Sequence, residues 1–171
     1  LPAKTAEELK VMMQAPVPCR SLEEYLSRFA VSKVCLQREE ALERVAFELA
    51  EDMAADGVTC GEIRFAPQLS TDLGLSQEKV TEAVIRGVRR GMEVYPGITL
   101  GLLLCCMRGD DKEMDRRNRE TLELAAELQD GGIVCGVDLA GAEAAYDTGL
   151  FRNLFREADR LGLKRTIHAG E

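Results

Sequence analysis

The sequence is short of histidine, of long apolar runs and of paired cysteines, and each shortage argues against a class of function. A single histidine, His168, stands among 171 residues. One imidazole does not make a mononuclear catalytic zinc site, which takes about three protein ligands and an open position. No run of ~18 apolar residues occurs, so no transmembrane helix is expected. The opening residues Leu1-Pro2-Ala3-Lys4 have neither an initiator Met nor a signal-peptide core. Positive charge is also scarce: 22 Lys and Arg stand against 30 Asp and Glu, a net charge of −8. Nucleic-acid affinity rests mainly on Lys and Arg, so no nucleic-acid partner is expected. The six cysteines (Cys19, Cys35, Cys60, Cys105, Cys106 and Cys135) form no C-x-x-C pair. That argues against a zinc ribbon or a thioredoxin-like site. Cys60, Cys105, Cys106 and Cys135 lie in apolar runs and read as small buried hydrophobes. A disulfide framework is not expected, and the cytoplasm is the expected compartment.

What is present is an alternation of helices and strands. Thr5-Ala6-Glu7-Glu8 fits a capping box, and Ser21-Leu22-Glu23-Glu24 repeats the pattern. An amphipathic helix is expected over Arg38 to Ala55, with Leu42, Val45, Ala46, Leu49 and Met53 inward and Gly57 as its stop. Strands are expected at Val58–Ala66, Ile98–Cys106, Ile133–Ala140 and Lys164–His168. Helices are expected at Ser76–Tyr95, Lys112–Gln129 and Leu150–Leu161. In the first of these, Gly87 and Gly91 would permit close approach to a sheet. The strands start every ~30–40 residues, the span of a βαβ unit. Apolar strands covered by helices mean a parallel sheet. No linker or domain boundary interrupts residues 1–171.

Two α/β folds compete, an open doubly wound sheet and an (α/β)₈ barrel. The doubly wound fold favours a Gly-rich turn after its first strand. Here that strand ends Arg64-Phe65-Ala66-Pro67. A barrel puts its chemistry at the C-terminal ends of its strands. Arg64, Arg108, Asp138, His168 and Glu171 fall there. The barrel is the expected fold.

These residues have several readings. His168 is a metal ligand or general base, with Glu171 turned back as a proton carrier, or else a strand-ending His beside a solvated Glu. Gly141 lets a backbone N–H approach a ligand, or only makes a turn. Asp138 bonds within the barrel mouth or pairs with a barrel arginine. Arg64 and Arg108 read as halves of internal ion pairs that hold the barrel together. Leu22, Tyr25, Leu26 and Phe29, at helical spacing, pack in the core or form an apolar lid over a pocket.

Taken in order, the motifs resemble those of the adenosine deaminases. Thr166-Ile167-His168-Ala169-Gly170-Glu171 is similar to that family's Thr-(Ile/Val)-His-Ala-Gly-Glu motif. Gly136-Val137-Asp138-Leu139-Ala140-Gly141, Glu62-Ile63-Arg64-Phe65-Ala66-Pro67 and Cys105-Cys106-Met107-Arg108 resemble three of its strands. Ser21 to Phe29 resembles its lid helix. The resemblance covers essentially the whole chain. It implies an (α/β)₈ TIM-type barrel of which this chain holds four strands, the second to the fifth. It also implies Zn²⁺ and hydrolytic removal of the 6-amino group of adenosine or 2′-deoxyadenosine, giving inosine or 2′-deoxyinosine. His168 would be a zinc ligand, and Glu171 would protonate purine N1. The N–H of Gly141 would meet purine N3, and Leu22, Tyr25, Leu26 and Phe29 would cover the ribose side. The family's His-x-His strand, its later His and its Asp pair have no counterpart here, and Ala142-Glu143 replaces Asp-Glu. The chain therefore reads as an internal segment of a longer enzyme, inactive alone, whose partner is a small purine nucleoside. Two other readings stand: a deaminase of adenine or a modified adenosine, and a metal-free, non-catalytic α/β binding module.

Overall fold

The computed structural model describes residues 3–170. Three short helices open the chain: α1 (Ala6–Met13), α2 (Leu22–Leu26) and α3 (Phe29–Cys35). The Thr5 box forms in full, because Glu8 N–H donates to Thr5 Oγ1 (3.2 Å) and Thr5 N–H donates to Glu8 Oε2 (3.3 Å). At Ser21 only half of it forms. Glu24 N–H reaches Ser21 Oγ (3.2 Å), but Glu24 Oε2 accepts from Arg20 N–H instead (2.7 Å).

The α/β body follows as α4 (Glu39–Ala55), β1 (Cys60–Phe65), α5 (Gln77–Val94), β2 (Thr99–Met107), α6 (Lys112–Leu128), β3 (Val134–Ala140) and α7 (Arg152–Arg160). Side-chain caps start two of these helices: Lys79 N–H donates to Ser76 Oγ and Met114 N–H to Asp111 Oδ1. The expected helix from Leu150 begins instead as a 3₁₀ turn, Thr148–Phe151, before α7.

The three strands are parallel and lie in the order β1-β2-β3. Sequential order, with a helix in each crossover, is the winding of a barrel. A doubly wound sheet reverses its strand order at a switch point. Strand alternation divides the side chains between two faces. Leu100, Leu102, Leu104 and Cys106 enter the main core with Val80, Val84, Val88, Leu122 and Ala125. Arg64, paired in register with Leu103, and Asp138, paired with Cys105, look the other way.

The fourth expected strand is only partly formed. Residues 164–168 lie along β3 through Val137 N–H to Lys164 O, Thr166 N–H to Val137 O and His168 N–H to Leu139 O, each 2.9 Å. A single bridge, Val137 to Arg165, is recognised there. Gly136 is what allows the approach, since a Cβ at that position would lie 2.5 Å from the Lys164 carbonyl oxygen.

The α4 face differs from its expected stripe. Leu42, Ala46 and Ala50 are buried, whereas Val45 and Leu49 are exposed. The cause is the partner. Gly87 and Gly91 approach α4 rather than the sheet, and a methyl on them would overlap the Glu43 carbonyl and the Ala50 side chain. Small residues on both helices let the backbones close. In an ordinary helix Gly→Ala gains about 1 kcal/mol. Here Gly87→Ala is expected to cost about 1–3 kcal/mol through overpacking. Gly97→Ala, whose new methyl meets nothing within 4 Å, serves as the neutral control. Urea unfolding midpoints check this, and a midpoint for Gly87→Ala at or above that of the parent would refute it.

Candidate active site

Polar groups gather where the strands end. Asp138, near the end of β3, is 2% exposed. Isolated burial of a carboxylate is costly, and it is met here by several partners. Thr166 Oγ1 donates to Asp138 Oδ1 (2.9 Å). Oδ2 lies 2.6 Å from His168 Nδ1 and 3.7 Å from Arg64 Nη1. The Cys105 thiol donates to the same oxygen at 3.6 Å. The histidine contact has the distance of a hydrogen bond but not its alignment. Arg64, its side chain 42% exposed, is a screened Coulombic neighbour.

One ion-pair expectation holds here and one is corrected. Arg64 finds its carboxylate at Asp138 on β3, the barrel-arginine pairing expected as one reading of Asp138. Arg108 finds oxygen atoms of the backbone and of a hydroxyl rather than an ion-pair partner. Its Nη1 donates to Tyr146 O (2.8 Å) and Thr148 Oγ1 (3.1 Å). Its Nη2 donates to Thr148 Oγ1 (3.1 Å) and His168 O (2.8 Å).

Gly141 follows β3 with φ of +111°, a conformation side chains rarely adopt, and packs against the Arg108 backbone. The next loop ties back to the histidine turn, where Gly170 N–H donates to Glu143 Oε2 (2.7 Å). Glu171 lies outside the described residues.

Asp138, His168, Arg64, Arg108 and Gly141 therefore share one strand-end site. Leu22, Tyr25, Leu26 and Phe29 do not join it through any hydrogen bond, ion pair or ring contact among the described residues. The expected single helix breaks at Ser27-Arg28. None of the four is buried, against the reading as core. Tyr25 and Phe29 stack edge to face, centroids 5.3 Å apart, and remain about half exposed.

The cysteines divide in the same spirit. Cys105 and Cys106 are buried as expected, but Cys60 is exposed and Cys135 half-buried. Burial pushes the Cys106 thiol up to about 12. Burial, then the Asp138 charge, pushes Cys105 above its ordinary range. Thiolate is the reactive form. At pH 8 a thiol reagent is expected to label Cys19 and Cys60 in the folded protein, and Cys105 and Cys106 only after unfolding. Peptide mass mapping reads this, and native labelling of Cys105 would contradict it.

Among the described residues no group of three or more His, Cys, Asp or Glu is arranged to hold a metal. What is present fits one ligand of such a site. Asp138 faces Nδ1 of His168, which leaves Nε2 as the donor, and a carboxylate behind a ligating imidazole is the usual support.

Sequence reading missed the two acceptors of Arg108 in the loop after β3, Tyr146 O and Thr148 Oγ1, which carry no local signal. It also missed a buried chain of amides under β2. Gln68 Nε2 donates to Asn118 Oδ1, and Asn118 bonds both backbone groups of Met107, each at 2.8 Å.

The family model described as adenosine deaminase matches residues 1–171. An adenosine deaminase of Haemophilus ducreyi is 40% identical over 174 residues, covering 100% of this chain and 50% of that protein. The solved Arabidopsis N6-mAMP deaminase superposes with a TM-score of 0.79 at 29% identity, over 96% of this chain and 49% of that one. An adenine deaminase of Arthrobacter aurescens gives 0.79 at 26% identity, over 99% and 49%. The chain spans about half the length of the curated relatives it matches.

Proposed function

Since the chain belongs to the adenosine deaminase family, we propose that the full-length protein hydrolyses adenosine and 2′-deoxyadenosine to inosine and 2′-deoxyinosine with release of ammonia. The observation that carries this reading is the Asp138–His168 pair, a 2.6 Å contact at the strand-end face where such barrels do their chemistry. His168 Nε2 is one ligand for Zn²⁺, and the remaining ligands come from outside residues 1–171. When bound, zinc supplies a water acidic enough to act as a nucleophile near neutral pH.

The chain's own residues do the rest. Asp138 keeps the imidazole oriented and favours Nε2 as the donor atom. The N–H of Gly141 holds purine N3, and Glu171 delivers a proton to N1, which makes C6 electrophilic. The half-exposed apolar pair Tyr25 and Phe29, with Leu22 and Leu26, closes over the ribose and excludes water. The reading includes a cytoplasmic enzyme of purine metabolism with a small nucleoside as its partner. It is compatible with the lack, among the described residues, of a helix able to cross a membrane.

The test is product analysis by chromatography, with zinc-loaded full-length protein and adenosine, adenine and N6-methylated adenosine substrates. Adenosine is expected to be turned over most efficiently, and residues 1–171 alone are expected to be inactive. Preference for adenine or a methylated substrate would move the assignment to those classes. No turnover of any of them would leave a binding module.

A further inference from the structure

We propose that Arg108 is a positioning residue for His168. Its guanidinium locks the histidine backbone and the loop after β3 into one arrangement, so that the imidazole stays against Asp138. Three observations lead there. First, Arg108 is only 5% exposed. A buried cation is expected to have a carboxylate partner, yet its terminal nitrogens go to neutral oxygens. Thr148 Oγ1 accepts from both, with Tyr146 O on one side and His168 O on the other.

Second, these acceptors are 38 to 60 residues away in sequence. The fork therefore joins the end of β2 to two separate pieces of chain at the rim. Third, the fork reaches the same short segment that β3 holds by backbone hydrogen bonds. The Val137, Thr166 and His168 amides make those bonds, the last of them from His168 N–H to Leu139 O. A side-chain clamp on the His168 carbonyl adds a restraint at the residue where the last of these bonds is made. The Arg108 amide in turn donates to Ala140 O (2.8 Å), beside the Gly141 turn, so the clamp itself has a fixed base. Lysine has the charge without the planar fork and cannot hold the three acceptors together.

The functional half of this assignment rests on the deaminase reading, and the structural half does not. The experiment separates them. Full-length Arg108→Gln, Arg108→Lys and Thr148→Val proteins are compared with the parent by hydrogen exchange, by zinc competition with a chelator, and by kcat per bound zinc. In Arg108→Gln, exchange across residues 163–170 is expected to rise about tenfold, with α4 and α5 unchanged. Zinc affinity is expected to fall about 10–100-fold. The kcat per zinc falls with it, while KM moves less than about threefold. Arg108→Lys recovers part of the loss, and Thr148→Val shows a weaker form of the same pattern.

Unchanged local exchange and zinc affinity in Arg108→Gln would overturn the proposal. So would uniform loosening of the whole fold, which is what a merely structural arginine gives. Should Arg108→Gln fail to fold, Thr148→Val decides by the same criteria. A parent protein that neither binds zinc nor deaminates removes the deaminase reading, and hydrogen exchange still judges the clamp.

Discussion

His168→Ala is expected to reduce deamination by the full-length protein on the order of 10⁴-fold, the scale of losing an essential active-site group. The fold is expected to survive. The histidine side chain is 27% exposed, and its backbone N–H bond to Leu139 O does not depend on the imidazole. The measurement is kcat/KM for adenosine alongside zinc content and the unfolding midpoint. Retention of turnover within tenfold of the parent would remove His168 from the active site. Equal loss of activity and of folded protein would leave it a structural residue.

Asp138→Asn is the second large effect. The substitution keeps the volume and leaves an oxygen for the Thr166 hydroxyl, but it removes the charge from a fully enclosed side chain. Without the carboxylate behind Nδ1, the imidazole loses the partner that orients it. Zinc affinity is expected to drop about 10–100-fold, with activity per bound zinc also lower. Chelator competition gives the first number and steady-state kinetics the second. Zinc affinity within about twofold of the parent, in a folded protein, would make Asp138 only the partner of Arg64. Thr166→Val, which removes a single neutral hydrogen bond to the same carboxylate, is the smaller companion change.

These two residues show how much of the site was legible in advance. Asp138 and His168 stand at strand ends in the sequence, and alternation alone put Thr166 on the face of His168. Their joining needed a register, and register is set by which strands lie side by side. Arg64 illustrates the limit. Its partner, Asp138, is 74 positions away, and the sequence names a barrel arginine for Asp138 without saying which one. Arg108 was legible as a strand-end cation. Its acceptors were not, because any loop supplies carbonyl oxygens and only the fold selects which ones arrive.

The same division runs through the rest of the chain. Composition, the absence of long apolar runs, the 3.6-residue and twofold periodicities and the cap at Thr5 were determined by the sequence itself, since each depends on neighbours within a turn or a strand. So was the order of elements that makes a parallel α/β sheet. Tertiary structure alone decided that Gly87 and Gly91 meet α4 and not the sheet. It decided as well that Val45 and Leu49 stay outside, and that residues 164–168 pair through only part of their length. It also left Tyr25 and Phe29 half exposed. The physical reason is that burial is a property of what lies opposite. A helix presents its small and large residues on fixed faces, but only the partner that packs there determines which face becomes core.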